Sequence, residues 1–429
     1  MKGDTIYALS SGHPPAAIAV VRISGPGADR ALAGLVGDLP EPRRAAVREV
    51  RDPSTGETLD RALILRFPGP DSSIGEDVAE LHLHGGRAVV AGVLGALGAI
   101  EGLRAAEPGE FTRRAFENGR IDLTEAEGLA DLLIAETQSQ RRASLALAGG
   151  ALSRRVGEWQ SQLLRLAAEV EAALDFADEG DVGEDLPHDW PTRREQLAAA
   201  IGATLRSPPA ERLRDGVRVV IAGPPNAGKS SLLNWLAGRR AAITSAIAGT
   251  TRDRVEAPTA IGGQPFLLID TAGLREGQDE IEAEGIQLAH ASLAAADLIL
   301  WLGQPADCPD PARSIIVQSK IDLTGDALEP GAEVGVSCET GEGMDRLVAL
   351  LIERARSLLP QEGEVAINGR HRAALWEALQ HLEDAGGADD LIVVSEALRL
   401  ARVELDRVTG RAGVEDMLDA LFGSFCIGK

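Results

Sequence analysis

The spacing of hydrophobic positions changes along this chain and divides it into segments of different character. Up to about residue 117, short apolar runs such as AAIAVVRISG and RALILRFPG end in turns rich in glycine and proline, a pattern typical of β-strands. From there to about residue 212, apolar residues recur every three or four positions, as at Trp159, Leu163 and Leu166, which predicts helices. Thr124 and Glu127 have the spacing of a capping box, so we expect a helix to begin there.

A third pattern begins near residue 213, where short apolar runs alternate with helical segments. The runs VRVVIA, PFLLID, ADLILWLG and RSIIVQS predict strands of a parallel sheet with helices on both faces. After about residue 363 the pattern is helical again, and these last helices alone would bury little core. We therefore infer an α/β domain, 213–363, inserted into one helical domain formed by 118–212 and 364–429, after an N-terminal α+β domain over 1–117.

Composition restricts the class of protein. The chain has 429 residues, 44 % of them hydrophobic, which is enough for several globular domains. Its formal net charge of -23 argues against a sequence-blind nucleic-acid binder, because phosphates are neutralised by cations. The 3 cysteines, Cys308, Cys338 and Cys426, lack metal-site spacing, and reduced thiols are typical of the cytoplasm. With no apolar signal core and no run long enough to span a membrane, we expect a cytoplasmic protein.

The strongest motif is a phosphate-binding loop. Gly223 to Ser230, in GPPNAGKS, match G-x-x-x-x-G-K-[ST] directly after an apolar strand and before a helix. Backbone amides of such a loop and the helix N-terminus favour phosphate. Lys229 is predicted to reach the outer phosphates and Ser230 to bind magnesium. The inserted domain is thus predicted to be a Ras-like P-loop G domain with a mostly parallel, doubly wound sheet.

Two further motifs fit the same nucleotide. DTAG follows the next strong strand, and it places Asp270 to hold magnesium through water and the Gly273 amide to sense the outermost phosphate. Between the two phosphate motifs, IAGTTRD presents Thr250 and Thr251 as candidates for a switch loop, with Thr251 closing on magnesium.

Guanine selectivity is predicted from QSKID. Asp322 can accept two hydrogen bonds from the guanine edge, and the stem of Lys320 can cover the base. Ser319 stands where related GTPases carry Asn, so we expect GTP over ATP with weaker anchoring of the base. Backbone amides near Ser337 and Cys338 are predicted to face the base. The residues predicted to contact the nucleotide are Asn226, Ala227, Gly228, Lys229, Ser230, Ser231, Ser245, Thr250, Thr251, Asp270, Thr271, Ala272, Gly273, Ser319, Lys320, Asp322, Ser337 and Cys338.

These motifs leave part of the hydrolysis machinery open. Leu274 stands where many GTPases carry a Gln that orients water, and the sequence presents no obvious arginine finger. Another group must therefore position water, and another positive charge must stabilise the transition state.

The set of motifs resembles one known family. GPPNAGKS, IAGTTRD, DTAGLREGQDEIEAEGI and the terminal FCIGK, preceded by AIAVVRISG, GEDVAELHLHGG and EFTRRAFENGRIDLTEAE, are similar to the MnmE (TrmE) family of tRNA uridine-modification GTPases, in the TrmE-Era-like superfamily. The resemblance covers nearly the whole chain. It implies that the G domains dimerise across the nucleotide and that potassium replaces an arginine finger. By position, Asn226, Ser245, Ile247 and Thr250 would hold potassium, and Glu282 would orient the attacking water.

The resemblance also assigns the two ends of the chain. It implies an N-terminal domain that binds formyl- or methylene-tetrahydrofolate and forms a homodimer. The folate contacts would be Arg22, Glu80, Arg120 and Lys429. Most members carry Lys in place of Arg120, and the planar guanidinium of Arg differs in contact geometry from the compact ammonium of Lys. Cys426 would lie beside the one-carbon donor as a candidate catalytic nucleophile, and the alternative is a buried, inert cysteine.

The implied function is modification of the wobble uridine of certain tRNAs. With the FAD-containing partner MnmG, in a heterotetramer, the enzyme would add an aminomethyl or carboxymethylaminomethyl group while GTP hydrolysis drives a conformational cycle. The arginine pairs at 113–114 and 141–142, or Arg399 with Arg402, are candidates to contact tRNA, although the partner is expected to carry much of that binding. A GTP-switched ribosome-assembly factor and a nucleotide-regulated scaffold are the alternatives, and both leave the N-terminal motifs and CIGK unexplained.

Overall fold

The computed structural model describes residues 3–175, 186–238, 256–270, 290–324, 328–361, 363–412 and 415–429. Its strands are β1 Thr5–Leu9, β2 Ile18–Ser24, β3 Ala46–Arg51, β4 Thr58–Phe67, β5 Val78–His84, β6 Leu103–Ala105, β7 Val217–Ala222, β8 Glu256–Ile261, β9 Gln264–Asp270, β10 Leu298–Trp301, β11 Ser314–Ser319 and β12 Val334–Val336. Its α-helices are α1 Ala28–Val36, α2 Arg87–Gly98, α3 Glu110–Glu117, α4 Leu123–Ile134, α5 Gln138–Ala148, α6 Ala151–Asp175, α7 Trp190–Leu205, α8 Glu211–Asp215, α9 Lys229–Gly238, α10 Ile321–Thr324, α11 Met344–Leu358, α12 Gly369–Gly387, α13 Leu391–Thr409 and α14 Glu415–Gly423.

The chain forms two compact units, one of Met1–Ala130 with Thr409–Lys429 and one of Asp131–Val408. The first unit is built on a six-stranded sheet of order β3-β4-β5-β2-β1-β6. Its neighbouring strands are antiparallel, except that β1 and β6 are parallel. Because side chains alternate along a strand, Val21 and Leu81 face one core with α1 and α2, whereas Arg22 and Glu80 lie on the other face.

That other face is covered in part by α3, whose Phe111 packs with Ile6 and Val78. Helix α14 and the residues after it close the unit, because Phe422 and Phe425 are buried against Ala126 of α4. The C-terminal residues are therefore anchored in a hydrophobic cluster, which keeps them from fraying.

A buried ion network also stabilises this unit. The guanidinium of Arg114, a residue that is 7 % exposed, donates to carboxylates of Asp4 (2.7 Å), Glu76 (3.2 Å) and Glu110 (2.9 Å). Burial alone would raise the pKa of Glu110, but hydrogen bonds from Arg104 and Arg114 hold it below the ordinary value. A buried charge in this position needs its partners, so Arg114 holds structure and does not face a ligand.

The second unit contains a six-stranded sheet of order β12-β11-β10-β7-β9-β8. All of its neighbouring pairs are parallel except β8 with β9. Val219 packs with α9 and α11 on one face, and Val220 packs with Leu293 on the opposite face. The predicted mostly parallel, doubly wound fold is confirmed.

The helices that precede this sheet in the sequence share one core with the helices that follow it. Trp159 and Leu163 of α6 and Leu197 of α7 are buried in the same cluster as Leu382 of α12 and Leu398 of α13. This shared core favours the inferred insertion, although the predicted domain boundaries stay predictions. No described helix has the length and apolar character that crossing a membrane requires.

The expected start of α4 was wrong by a short distance. The helix begins at Leu123, and its capping box is formed by Asp122 and Glu125. Asp122 Oδ1 accepts from the Glu125 amide (2.9 Å), and Glu125 Oε2 accepts from the Asp122 amide (2.8 Å). Asp is as good an N-cap residue as Thr, and the helix begins at the earlier of the two overlapping capping boxes.

Candidate functional site

The predicted nucleotide residues meet at one edge of the second sheet. Strands β7, β9, β11 and β12 are parallel, and the predicted motifs follow their carboxyl ends. Ile221 of β7 pairs with Asp270 of β9, and Ser319 of β11 pairs with Val336 of β12. Ligands of open α/β sheets bind at this edge.

The phosphate-binding loop connects β7 with α9 in a tight path. Asn226 has a φ of 59° and Gly228 a φ of 93°, a region that Asn and Gly tolerate best. At Gly223, a Cβ would lie 3.0 Å from the Leu302 backbone carbon, so the strand end has no room for a side chain there. The loop backbone is thereby brought to the N-terminus of α9, where amides attract anions.

Lys229 folds over this loop. Its residue is 8 % exposed, and its Nζ donates to the carbonyl oxygens of Gly223 (3.2 Å) and Pro224 (2.8 Å). These bonds hold the ammonium against the backbone of the loop, close to where an anion in the loop would lie. This position suits the predicted contact with the outer phosphates.

Ser230 and Asp270 are brought together although they lie 40 residues apart. The hydroxyl of Ser230 donates to Asp270 Oδ2 at 2.6 Å, and Asp270 is 4 % exposed. A hydroxyl and a carboxylate oxygen are hard ligands of the kind that magnesium prefers. Ser230 and Asp270 therefore fit the predicted magnesium site, Ser230 as a direct ligand and Asp270 as a ligand through water.

The SKID segment is tied to the phosphate loop by contacts that the motif alone did not predict. Ser319 Oγ donates to the Ala227 carbonyl at 2.7 Å, and Lys320 Nζ donates to the Asn226 carbonyl at 2.7 Å. Lys320 has a φ of 60°, an uncommon conformation for its residue type. Ser319 thus joins the segment predicted to bind the base to the phosphate loop, without the amide that Asn would supply.

The other residues predicted to face the base lie close to one another. Asp322 is exposed at the start of α10, and Ser337 is fully buried after β12. Burial raises the pKa of the Cys338 thiol, and the negative charge of Asp322 raises it further. The thiolate is the reactive form, so Cys338 is poorly suited to nucleophilic chemistry and suits a packing role.

Several predicted site residues lie outside the described residues. They are Ser245, Ile247, Thr250, Thr251, Thr271, Ala272, Gly273 and Glu282. Of the predicted potassium ligands, Asn226 is described, and it is exposed on the phosphate loop.

The first unit brings together two of the residues predicted to bind folate. Arg22 and Glu80 are cross-strand partners of β2 and β5, and Arg22 Nη2 donates to Glu80 Oε1 at 2.9 Å. The Arg22 guanidinium carbon also lies 5.7 Å from the centre of the Phe111 ring. His82 Nε2 lies 3.3 Å from the second Glu80 oxygen, so the pair forms part of a polar row on this sheet face.

The other two residues predicted to bind folate make no side-chain hydrogen bond to Arg22 or Glu80 among the described residues. Arg120 is exposed in the turn after α3, and Lys429 is half-buried at the C-terminus. Cys426 is exposed, so it is not the buried cysteine of the alternative, and its role in the chemistry stays a prediction. The thiol is accessible to a ligand or a nucleic acid.

The tail around Cys426 is fixed by its backbone. Pro108 and Ile427 form an antiparallel β-bridge. Gly428 has a φ of 96°, and a Cβ there would lie 2.1 Å from the Leu9 carbonyl oxygen. Glycine is therefore required where the tail crosses the end of β1, a constraint that the sequence alone did not reveal.

Comparison with known proteins finds similarity over nearly the whole chain. The model of the MnmE helical domain matches residues 123–426, and that of the GTP-binding protein TrmE N-terminus matches residues 5–120. The tRNA modification GTPase MnmE of Erythrobacter litoralis is 57% identical over 427 residues, 99% of this chain and 100% of that protein. The protein of the same name from Rhizorhabdus wittichii is 58% identical over 433 residues, 99% of this chain and 97% of that protein.

Among solved structures, the G domain of the T. maritima FeoB iron transporter is 26% identical, with 32% of this chain and 98% of that chain covered. Its TM-score is 0.23, so this similarity carries no argument. The full-length identity to the two relatives and the two matching models are decisive: the chain belongs to the MnmE (TrmE) family of tRNA modification GTPases.

Proposed function

We propose that the chain binds and hydrolyses GTP at the carboxyl edge of its parallel sheet, and that hydrolysis serves modification of the wobble uridine of tRNA. The observation that carries the GTPase part is the meeting of Lys229, Ser230 and Asp270 at that edge, with Ser230 Oγ 2.6 Å from Asp270 Oδ2. Phosphoryl transfer needs positioning and positive charge more than covalent chemistry. These residues supply both.

Each described residue has a distinct part in the proposed reaction. The amides of Ala227 and Gly228 hold the phosphates, and Lys229 leaves its carbonyl partners to donate to the outer phosphate oxygens. Ser230 and Asp270 would hold magnesium, which supplies charge neutralisation between the outer phosphates when bound. Thr251 would complete this site, the Gly273 amide would contact the last phosphate, and Glu282 would orient water. Ser231, Thr250, Thr271 and Ala272 are proposed as further contacts to the nucleotide.

Guanine selectivity is proposed to rest on Asp322, and it can be tested directly. We expect calorimetric titration to give much tighter binding of GDP than of ADP. Asp322→Ala should weaken GDP binding roughly 10- to 100-fold, because a hydrogen bond to a charged group contributes about 1.5–3 kcal/mol. Asp322→Asn should instead gain affinity for xanthosine diphosphate, since the amide donates where the carboxylate accepted. Equal affinity of the wild type for GDP and ADP would contradict the assignment.

Potassium is proposed as the cation that stabilises the transition state, with Asn226, Ser245, Ile247 and Thr250 as ligands. The rate of GTP hydrolysis should be at least roughly 10²-fold higher in KCl than in NaCl of equal ionic strength, because a cation in this site stabilises the negative charge of the transition state. Asn226→Gly should lose this difference while it still binds GDP, because a φ of 59° suits glycine and the substitution removes only the amide. A rate that is the same in both salts would refute the potassium site.

The chemistry on tRNA is proposed to involve the first unit. Arg22 and Glu80, with Arg120 and Lys429, would hold the tetrahydrofolate donor, and tetrahydrofolate would supply a one-carbon unit. The paired guanidinium and carboxylate, with the Phe111 ring beside them, suit a ligand that is both polar and aromatic. Cys426 is exposed for a step on the carbon or the base. A homodimer and a heterotetramer with FAD-containing MnmG complete the proposed enzyme.

A further inference from the structure

A groove between α7 and α12 stands outside the sites described above. It has a volume of about 690 Å³ and lies wholly within the second unit. From α12 it is lined by one helix face, because Gly369, Arg372, Ala373 and Trp376 recur at helical spacing. A space of this size accommodates a small ligand or a nucleotide.

Trp376 is the unusual residue of this groove. It is 54% exposed, whereas Trp159 and Trp190 of the same unit are 3% and 4% exposed. Trp presents a large apolar face, and leaving it in water forfeits the free energy of burial. An exposed indole that lines a groove is therefore available to a partner with a flat, stacking surface.

Two arginines line the same groove. Arg372 lies one helical turn before Trp376, and its guanidinium donates to the carbonyls of Leu205 and Ser207 at the end of α7. Arg206 is exposed at the C-terminal cap of α7. Within the described part of the chain, no carboxylate lies within ion-pair distance of either arginine, so neither positive charge is neutralised by an acidic side chain.

Some of the other cations that the sequence made candidates for tRNA are already paired with carboxylates. Arg113 pairs with Glu117 and Asp419, and Arg399 pairs with Glu396 at 2.7 Å. Arg113, Arg114 and Arg399, which the sequence made candidates for tRNA, are thus engaged with carboxylates. Glu377 lines the groove as well, but it is exposed and its side chain reaches solvent.

We propose that this groove binds a single-stranded segment of RNA, with one base stacked on Trp376 and the adjoining phosphates on Arg206 and Arg372. Aromatic faces combined with cations are the usual means of holding unpaired nucleotides. A protein partner could also anchor on the tryptophan, but two guanidinium groups without a carboxylate partner, on a chain of net charge -23, favour a polyanion. The inference rests on the proposed tRNA substrate and assigns it a surface.

The test is a binding titration of the full-length chain with an RNA hairpin whose loop carries an unmodified uridine. A fully paired RNA of equal charge serves as the second probe. Trp376→Ala should weaken hairpin binding roughly 5- to 100-fold, the effect of one lost stacked base, and leave the paired probe unchanged. Trp376→Phe should retain most of the affinity, and quenching of tryptophan fluorescence by the hairpin should fall in both variants.

Arg206→Gln should reduce the slope of log affinity against log salt by about 0.7 to 1, as loss of one phosphate contact does. Arg399→Gln is the matched control, an exposed arginine that is already paired with Glu396, and its slope should equal that of the wild type. Unchanged GTP hydrolysis and thermal melting of each variant will show that it is folded.

Wild-type hairpin affinity of Trp376→Ala would overturn the proposal. So would a variant that binds RNA normally but fails to modify tRNA with the partner protein, since the groove would then dock a protein. A wild type that binds neither RNA probe overturns it as well. The proposed function is judged separately, by whether cells that lack the gene lose the modified wobble uridine.

Discussion

Lys229→Ala is expected to lower kcat/KM for GTP hydrolysis about 10²- to 10³-fold, the cost of losing one charged donor to a transition state. Lys229 is buried in the phosphate loop, where its ammonium donates to the carbonyls of Gly223 and Pro224. It is therefore already placed beside the predicted position of the outer phosphates, and contact with them needs little reorganisation. Single-turnover hydrolysis of GTP in potassium and magnesium measures the effect.

The matched control for Lys229 is Arg399→Ala, which removes a cation of α13 that is paired with Glu396. It should hydrolyse GTP at the wild-type rate. Lys229→Arg is expected to be nearly as slow as the alanine variant, because a planar fork does not replace a compact ammonium in a closed loop. Wild-type hydrolysis by Lys229→Ala would remove the loop from the catalytic account.

Cys426→Ser is expected to abolish tRNA modification while GTP hydrolysis continues at the wild-type rate. The tail holds the thiol in a defined place, since Phe425 is 5% exposed and Gly428 crosses Leu9 closely. The thiol itself is exposed. Serine has nearly the same shape but is a far weaker nucleophile near neutral pH, so the exchange separates chemistry from anchoring. Mass spectrometry of tRNA nucleosides measures the first activity, and phosphate release the second.

Ser424→Ala is the control for this exchange. Ser424 is an exposed neighbour in the same tail, and its hydroxyl donates to the Leu421 carbonyl at 2.6 Å. It should support full modification. If Cys426→Ser also supports full modification, the cysteine is an anchor of the tail and takes no part in the chemistry.

The sequence was sufficient for the parts of the structure that depend on local pattern. The strand–loop–helix context of GPPNAGKS predicted where Lys229 and Ser230 lie, because glycine and helix geometry constrain such a loop strongly. Parallel strands then placed Asp270 at the same edge, which depends only on topology. The predicted start of α4 was wrong because two possible capping boxes overlap, one formed by Asp122 with Glu125 and one by Thr124 with Glu127. The sequence pattern does not show which of the two forms.

Long-range contacts could not be predicted in this way. The bond from Ser319 to the Ala227 carbonyl joins residues 92 positions apart, and no motif records it. The requirement for Gly428 depends on where Leu9 lies. The exposure of Trp376 likewise follows from the tertiary arrangement of α7 and α12, because helical periodicity alone does not distinguish a buried indole from an exposed one.

The most direct test of the central claim is mass spectrometry of wobble-uridine nucleosides in bulk tRNA from cells that lack this gene. Rescue is compared between the wild type and Lys229→Ala, expressed at equal levels. The account predicts that the wild type restores the modified nucleoside and that Lys229→Ala does not, because GTP hydrolysis drives the modification. A modified nucleoside that persists without the gene, or that Lys229→Ala restores fully, would contradict it.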